Sequence, residues 1–202
     1  MKTKEFYGIK FNVYTDTKIE GDFVHPDEAV YFENDVEITG KLEVGYLKTE
    51  KSINVYGDYV VHEWEEIGGS QEVGGYQEVG GYQKIGGSQE VGGYQEVGEY
   101  QKIGWYQKIG CSQEVGWSQK IGEYQEVGGY QKIGEYLSAE SSRVSLYSTV
   151  GGEYNVKGKV FIGVCEWKET TKEEETLTCG KFISGDIKYG HLIETSNLAE
   201  GK

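Results

Sequence analysis

The chain has 202 residues, with 34 Asp and Glu against 20 Lys and Arg and a formal charge of −14. That balance disfavours binding to nucleic acid or to an anionic membrane surface, since both need clustered Lys and Arg. A hydrophobic share of 37%, 31 Gly and a single Pro leave little material for a conventional globular core and exclude collagen and Pro-rich linkers.

The opening residues Met1 to Phe6 contain no apolar run of the secretory kind, and no stretch approaches the length that spans a bilayer. A cytoplasmic or assembled-particle setting is therefore expected, without membrane insertion. Over residues 5–13, Tyr7, Ile9, Phe11 and Val13 alternate with polar positions, which predicts a strand with one apolar side. Aliphatic residues then recur at six-residue steps. Val13 and Ile19 share one phase, and Val24, Val30, Val36 and Leu42 share a second after a one-residue slip. Beyond a break near Lys48–Lys51, Val55, Val61 and Ile67 lead into a regular block.

That block, Ile67 to Ser138, is twelve consecutive units of the form [Ile/Val]-Gly-x-[Tyr/Ser]-Gln-[Glu/Lys], in which only Leu137 replaces the Gln. Beyond it, after a five-residue slip at Ala139, Val144, Val150, Val156 and Ile162 resume the six-residue step. Three regions follow: an N-terminal cap with irregular coils over 1–66, the regular repeat over 67–138, and irregular C-terminal coils with a cap over 139–202. Residues 168–176 are charged and without periodic apolar positions, as in a solvated loop. Leu177, Ile183, Ile187 and Ile193 look strand-like, and the polar tail from Thr195 looks frayed. No segment carries a 3.6-residue apolar pattern, so helix is expected to be nearly absent.

Alternate side chains of a strand share a face. Each unit therefore reads as a short strand with Gln and the aliphatic residue inward and Glu or Lys outward, followed by a corner at Gly, where positive φ is available. Residues 69–86 recur at 87–104 with one change, an 18-residue copy. Read every third unit, Ile67, Ile85, Ile103 and Ile121 form one column, while Lys84, Lys102 and Lys120 form another. This predicts an all-β, single-stranded, triangular parallel β-solenoid of about 18 residues per coil. Inward Gln is costly unless satisfied, which a stack of amides bonding up and down a column provides.

The [Ile/Val]-Gly-x-x-x-x pattern resembles the hexapeptide-repeat parallel β-helices, in which three hexads make one coil. The flanks, such as Val36-Glu-Ile-Thr-Gly-Lys-Leu-Glu-Val-Gly, are similar to bactofilins, polymerising bacterial cytoskeletal solenoids. Gln stands where the hexapeptide family usually has a small residue two places before the aliphatic one. Enzymes of that family are mostly acyltransferases with a catalytic His, and related carbonic anhydrases hold zinc with three His.

This chain has three His, His25, His62 and His191, all outside the regular block and in no metal-like spacing. It has no Gly-x-Ser-x-Gly turn and no phosphate loop. Cys111, Cys165 and Cys179 form no CxxC pair, and Cys111 reads as a corner thiol. No residue is assigned a catalytic, cofactor-binding or metal role, and no cofactor is expected. The carboxylates, including Glu63, Glu65 and Glu66 beside His62, read as a solvated surface. The position three after the aliphatic gives tyrosine ridges along the edges, Tyr82, Tyr100 and Tyr136 on one and Tyr76, Tyr94 and Tyr130 on another, with Trp105 and Trp117 exposed beside them. Three functions remain: a non-enzymatic rod, scaffold or assembly subunit that partners with itself or another protein; a ligand- or glycan-binding module using the Tyr/Trp edges; and an acyltransferase of hexapeptide type.

Overall fold

The computed structural model describes residues 2–144, 148–162, 176–189 and 191–194. The expected loop over 168–176 falls outside these except for Thr176, as do Cys165 and the tail from Thr195. The described residues form strands and no helix, and the strands stack as a β-solenoid of about eight turns, some 18 residues apart.

The first elements are β1 (Thr3–Phe6), β2 (Ile9–Tyr14), β3 (Lys18–Ile19), β4 (Phe23–Phe32), β5 (Val36–Ile38) and β6 (Leu42–Thr49). They are followed by β7 (Ile53–Val55), β8 (Tyr59–Val61) and β9 (Glu65–Ile67), which lie one on each of three faces. Twelve short strands from Gln71–Val73 to Tyr136–Ala139 continue the winding. Each stacks in parallel register on the strand three places earlier: Gln71–Val73 on β7, Gln77–Val79 on β8 and Gln83–Ile85 on β9. Face 1 thus contains β7, face 2 contains β8 and face 3 contains β9. The all-Ile column is real, Ile67↔Ile85↔Ile103↔Ile121, and so is the Lys84↔Lys102↔Lys120 row outside it. The five-residue slip at Ala139 appears as a coil one residue shorter, with Val127↔Val144 and Ile133↔Val150 still in column.

Four expectations need correction. The apolar stretch over 5–13 is not one strand. Tyr7 and Gly8, with φ of 55° and 78°, make a two-residue turn that folds β1 antiparallel onto β2, as positive φ at both central positions allows. The glycines of the block do not have positive φ; among described residues only Tyr7, Gly8 and Gly21 do. Gly is required there by close approach instead. A Cβ on Gly104 would meet the carbonyl oxygen of Gly86 in the coil below, and one on Gly122 that of Gly104.

The phase relations at the N-terminus also differ. Val13 pairs with Tyr31 on the outside of face 3, whereas Ile19 packs on the solenoid interior. Val30, Val36 and Leu42 occupy the column continued by Gln in the block, not the column of Ile67, and Val24 points outward. The interior of these coils has two apolar positions per strand, as in Val36 with Ile38 and Leu42 with Val44. Thr49, fully buried, fills the place that looked like a break, directly below Ile67.

Inside the block the Gln side chains are buried and joined in one network. Gln101 Nε2 donates to Gln83 Oε1 at 2.5 Å in its own column and to Gln89 Oε1 at 3.2 Å in the next column of the coil below. Gln113 and Gln119 repeat this pair of bonds on Gln95 with Gln101, and on Gln101 with Gln107. Every amide points its N–H groups toward the N-terminal coils and its oxygen toward the C-terminal ones. At the N-terminal end Gln83 and Gln71 donate to Glu65, an acceptor, and Tyr59 Oη donates to the same carboxyl. At the other end the hydroxyl of Ser148 donates to Gln131 Oε1 at 3.0 Å and that of Ser142 to Gln125 Oε1 at 3.5 Å. An aromatic plug of Tyr14, Phe23 and Phe32, with ring centroids 5.0–5.9 Å apart, fills the interior of the first coils.

Gln101→Leu should strand amide partners in the coils on both sides and lower stability by about 2–4 kcal/mol. Gln131→Leu, at the end of the ladder, should cost about half as much or less. Urea denaturation of the two variants checks this, and equal costs would refute a continuous network.

Candidate functional site

The outward residues come from the middle position of each strand and from the corners. Tyrosines at the corners stack across coils in pairs, Tyr76 on Tyr94 with centroids 5.7 Å apart, Tyr82 on Tyr100 at 5.4 Å and Tyr106 on Tyr124 at 5.6 Å, all nearly parallel. The predicted ridges exist but are interrupted. Ser118 separates Tyr100 from Tyr136, and Ser112 lies between Tyr94 and Tyr130. The third edge, Tyr106 with Tyr124, was not singled out from sequence, although the same spacing marks it. Trp105 and Trp117 are 63% and 64% exposed, but they project from different corners of one coil and form no common patch. Much of the tyrosine surface is spent on ring-to-ring contact. Partial burial pushes the Tyr76 and Tyr94 hydroxyls well up, with the Glu78 carboxylate adding to the shift on Tyr76 and Glu114 to that on Tyr94.

Where Ser70 and Ser88 replace Tyr, a groove of about 810 Å³ opens along one edge, bordered by Glu37, Glu72 and Glu90 and closed by Tyr106. A smaller cleft, about 350 Å³, lies at the foot of the Tyr82–Tyr100 ridge. It is lined by Tyr7 from the hairpin turn, Trp64, Tyr82, Glu66 and Lys84. Tyr7 meets Trp64 edge-on at 5.6 Å and donates its hydroxyl to Glu66 at 3.0 Å. Glu66 also accepts from Lys48 at 2.7 Å and from Lys84. Partial burial alone would push the Glu66 carboxyl up; the bonds from Lys48, Lys84 and Tyr7 outweigh it and hold the group at about 2. The cleft therefore presents aromatic faces beside a fixed carboxylate and an ammonium. Of its five residues only Tyr82 was a sequence candidate. The others were missed because the hairpin that carries Tyr7 over face 3 has no counterpart in the repeat.

Glu65 was read as part of a solvated carboxylate cluster with Glu63 and Glu66, and that is wrong for Glu65, which is fully buried. Its position two before Ile67, the Gln position of every later unit, was the available signal. Burial pushes its carboxyl up to about 7, against bonds from Tyr59, Gln83 and Gln71 that pull it down. It closes the amide ladder and has no path to a substrate.

The histidines are dispersed. His25 lies in β4 with Nδ1 3.2 Å from Glu28, which also accepts from Asn12 and Tyr14. His62 sits after β8 with Nε2 3.0 Å from Glu43, and His191 opens the strand His191–Glu194. Cys111 is an exposed free thiol at a corner, and the side chain of Cys179 lies outside the described residues. Among the described residues no group of three His, Cys, Asp or Glu is placed to hold a metal ion, and no helix is long and apolar enough to cross a membrane. Compared with protein-family models, curated proteins and solved structures, the chain finds no match.

Because the folded Glu65 titrates near 7 and an unfolded glutamate near 4.5, the unfolded chain releases a proton in that window while the folded chain keeps it. Stability attributable to Glu65 should fall as pH rises from about 4.5 to about 7, by up to ~3 kcal/mol, and then level off. In Glu65→Gln this component should vanish. The difference between wild type and variant in urea denaturation across pH 4–8 reads it directly.

Proposed function

We propose that this chain is a non-enzymatic structural protein, a short rigid solenoid rod serving as scaffold, spacer or assembly subunit. The observation that carries this reading is the ladder from Glu65 to Ser148, which commits one of the two inward positions of each strand in the block to holding successive coils in fixed register. Eight turns at the usual strand spacing of about 4.8 Å give a body about 40 Å long. The first coil on face 3 has its edge covered by β1, whose Lys4 and Glu5 suit an edge that resists further pairing. That favours association through the sides of the rod over growth from this end. Solution scattering should give an elongated, rigid particle of these dimensions. Measurable acetyl-CoA binding by calorimetry, lost in His62→Ala, would replace this reading by the acyltransferase one.

A second reading has its own observation, the aromatic cleft of Tyr7, Trp64 and Tyr82 flanked by Glu66 and Lys84. Ring faces beside paired charged groups suit a sugar ring, which offers C–H bonds to the former and hydroxyls to the latter. On a glycan array, a ligand that binds through this cleft should lose about tenfold or more in affinity on Tyr7→Ala or Tyr82→Ala. Binding unchanged in both variants, or no binding by the wild type, would remove this reading.

A further inference from the structure

The outward positions of faces 2 and 3 carry rows of opposite charge in the same three consecutive coils. Face 2 has Glu78, Glu96 and Glu114, stacked in register. Face 3 has Lys84, Lys102 and Lys120, also in register. Each glutamate is followed six residues later by its lysine, so the two rows have three matching rungs.

Within one chain this arrangement is unfavourable. Like charges directly opposite on neighbouring strands repel. Face 1 shows the alternative, with Lys108 standing over Glu90 at 2.8 Å. Elsewhere too the lysines find carboxylates in the chain: Lys48 and Lys84 on Glu66, and Lys132 near Glu114 at 3.6 Å. Among the described residues, Lys102, Lys120 and Glu96 have no ion pair, in a chain where acidic groups outnumber basic ones 34 to 20. Unpaired cations in an acidic protein, stacked at strand spacing, are complementary to a row of anions at the same spacing. Another copy of this chain displays such a row.

We propose that the lysine row of face 3 docks against the glutamate row of face 2 on a second, parallel copy of this chain. Both rows repeat at the solenoid's own rise, about 4.8 Å, so the three rungs align, with Lys102, Lys120 and Glu96 free to pair and Lys84 and Glu114 sharing their intrachain partners Glu66 and Lys132. The contact uses different faces on the two partners. It is therefore heterologous, and each copy keeps one free face for the next, so association continues beyond a dimer. Attraction between exposed rows sets partner choice and encounter rate more than affinity, and it weakens with salt. This inference rests on the rod reading above and gives that rod its side-by-side contact.

Sedimentation velocity of the full chain decides it, in about 20 mM and about 0.5 M salt. The wild type should form concentration-dependent oligomers in low salt and dissociate in high salt. K102E/K120E leaves two acidic faces, E96K/E114K leaves two basic ones, and each variant alone should associate about tenfold or more weakly. An equimolar mixture of the two should recover association, because every acidic face then meets a basic one. Circular dichroism and the urea midpoint verify that both variants are folded. A wild type that stays monomeric in low salt overturns the proposal. So does association that survives both reversals, or a mixture that does not recover. A monomer that still scatters as a rigid rod would end this inference and leave the rod reading standing.

Discussion

A buried primary amide has two donors and two acceptor sites, and leaving any of them unmet in a dry interior costs of order 1–3 kcal/mol. The central coils satisfy Gln by giving every amide the same two donations, one down its own column and one to the adjacent column of the coil below. This works only if Gln stands in the same place in each unit. A Leu in mid-column would strand partners above and below it. The near-invariance of the block is thus a packing requirement of the ladder, of the kind seen when identical amides stack in cross-β structures.

A ladder with direction needs two different ends. The donor end meets Glu65, whose carboxyl accepts from Gln83 and Gln71 and also from the hydroxyl of Tyr59. The acceptor end meets the hydroxyls of Ser142 and Ser148. Outside these limits the same positions turn apolar, to Leu42, Leu47 and Ile53 on one side and Leu137 with Tyr154 on the other. The flanks look irregular because an apolar pair accepts many shapes, whereas an amide network accepts one. Outside the core the same rise sets the tyrosine stacks. Coils about 4.8 Å apart bring rings to centroid distances of 5.4–5.7 Å, which suits offset stacking.

Coil length, face assignment and the aliphatic columns were legible in the sequence because a solenoid converts sequence period directly into contacts. The amide ladder followed from chemistry once Gln was placed inward. What stayed hidden lay where the period fails. Val13 looks like a core residue by spacing, yet with Phe11, Ala29 and Tyr31 it forms a second apolar cluster outside face 3, capped by Phe6 of the hairpin and by Trp64. No periodic argument anticipates a fold-back that depends on a two-residue turn at Tyr7–Gly8. The block glycines were placed correctly for the wrong reason: the constraint is the carbonyl of the neighbouring coil, not backbone handedness. Glu65 was misread through its neighbours in sequence, when its neighbours in space are the coils above it.

Chemistry at a site needs unlike groups to converge, while a ladder of identical units brings like groups together. In the regular coils most columns repeat one residue type over several coils, so a functional group appears as a row. Rows suit recognition of something with the same repeat, and a second copy of the rod has that repeat by construction. Unlike groups converge where the hairpin crosses face 3, bringing Tyr7 against Trp64, Glu66 and Lys84. The two features divide the surface accordingly. The faces carry repeated charge suited to assembly, and the hairpin's departure from the repeat carries a cleft whose lining mixes aromatic and charged groups.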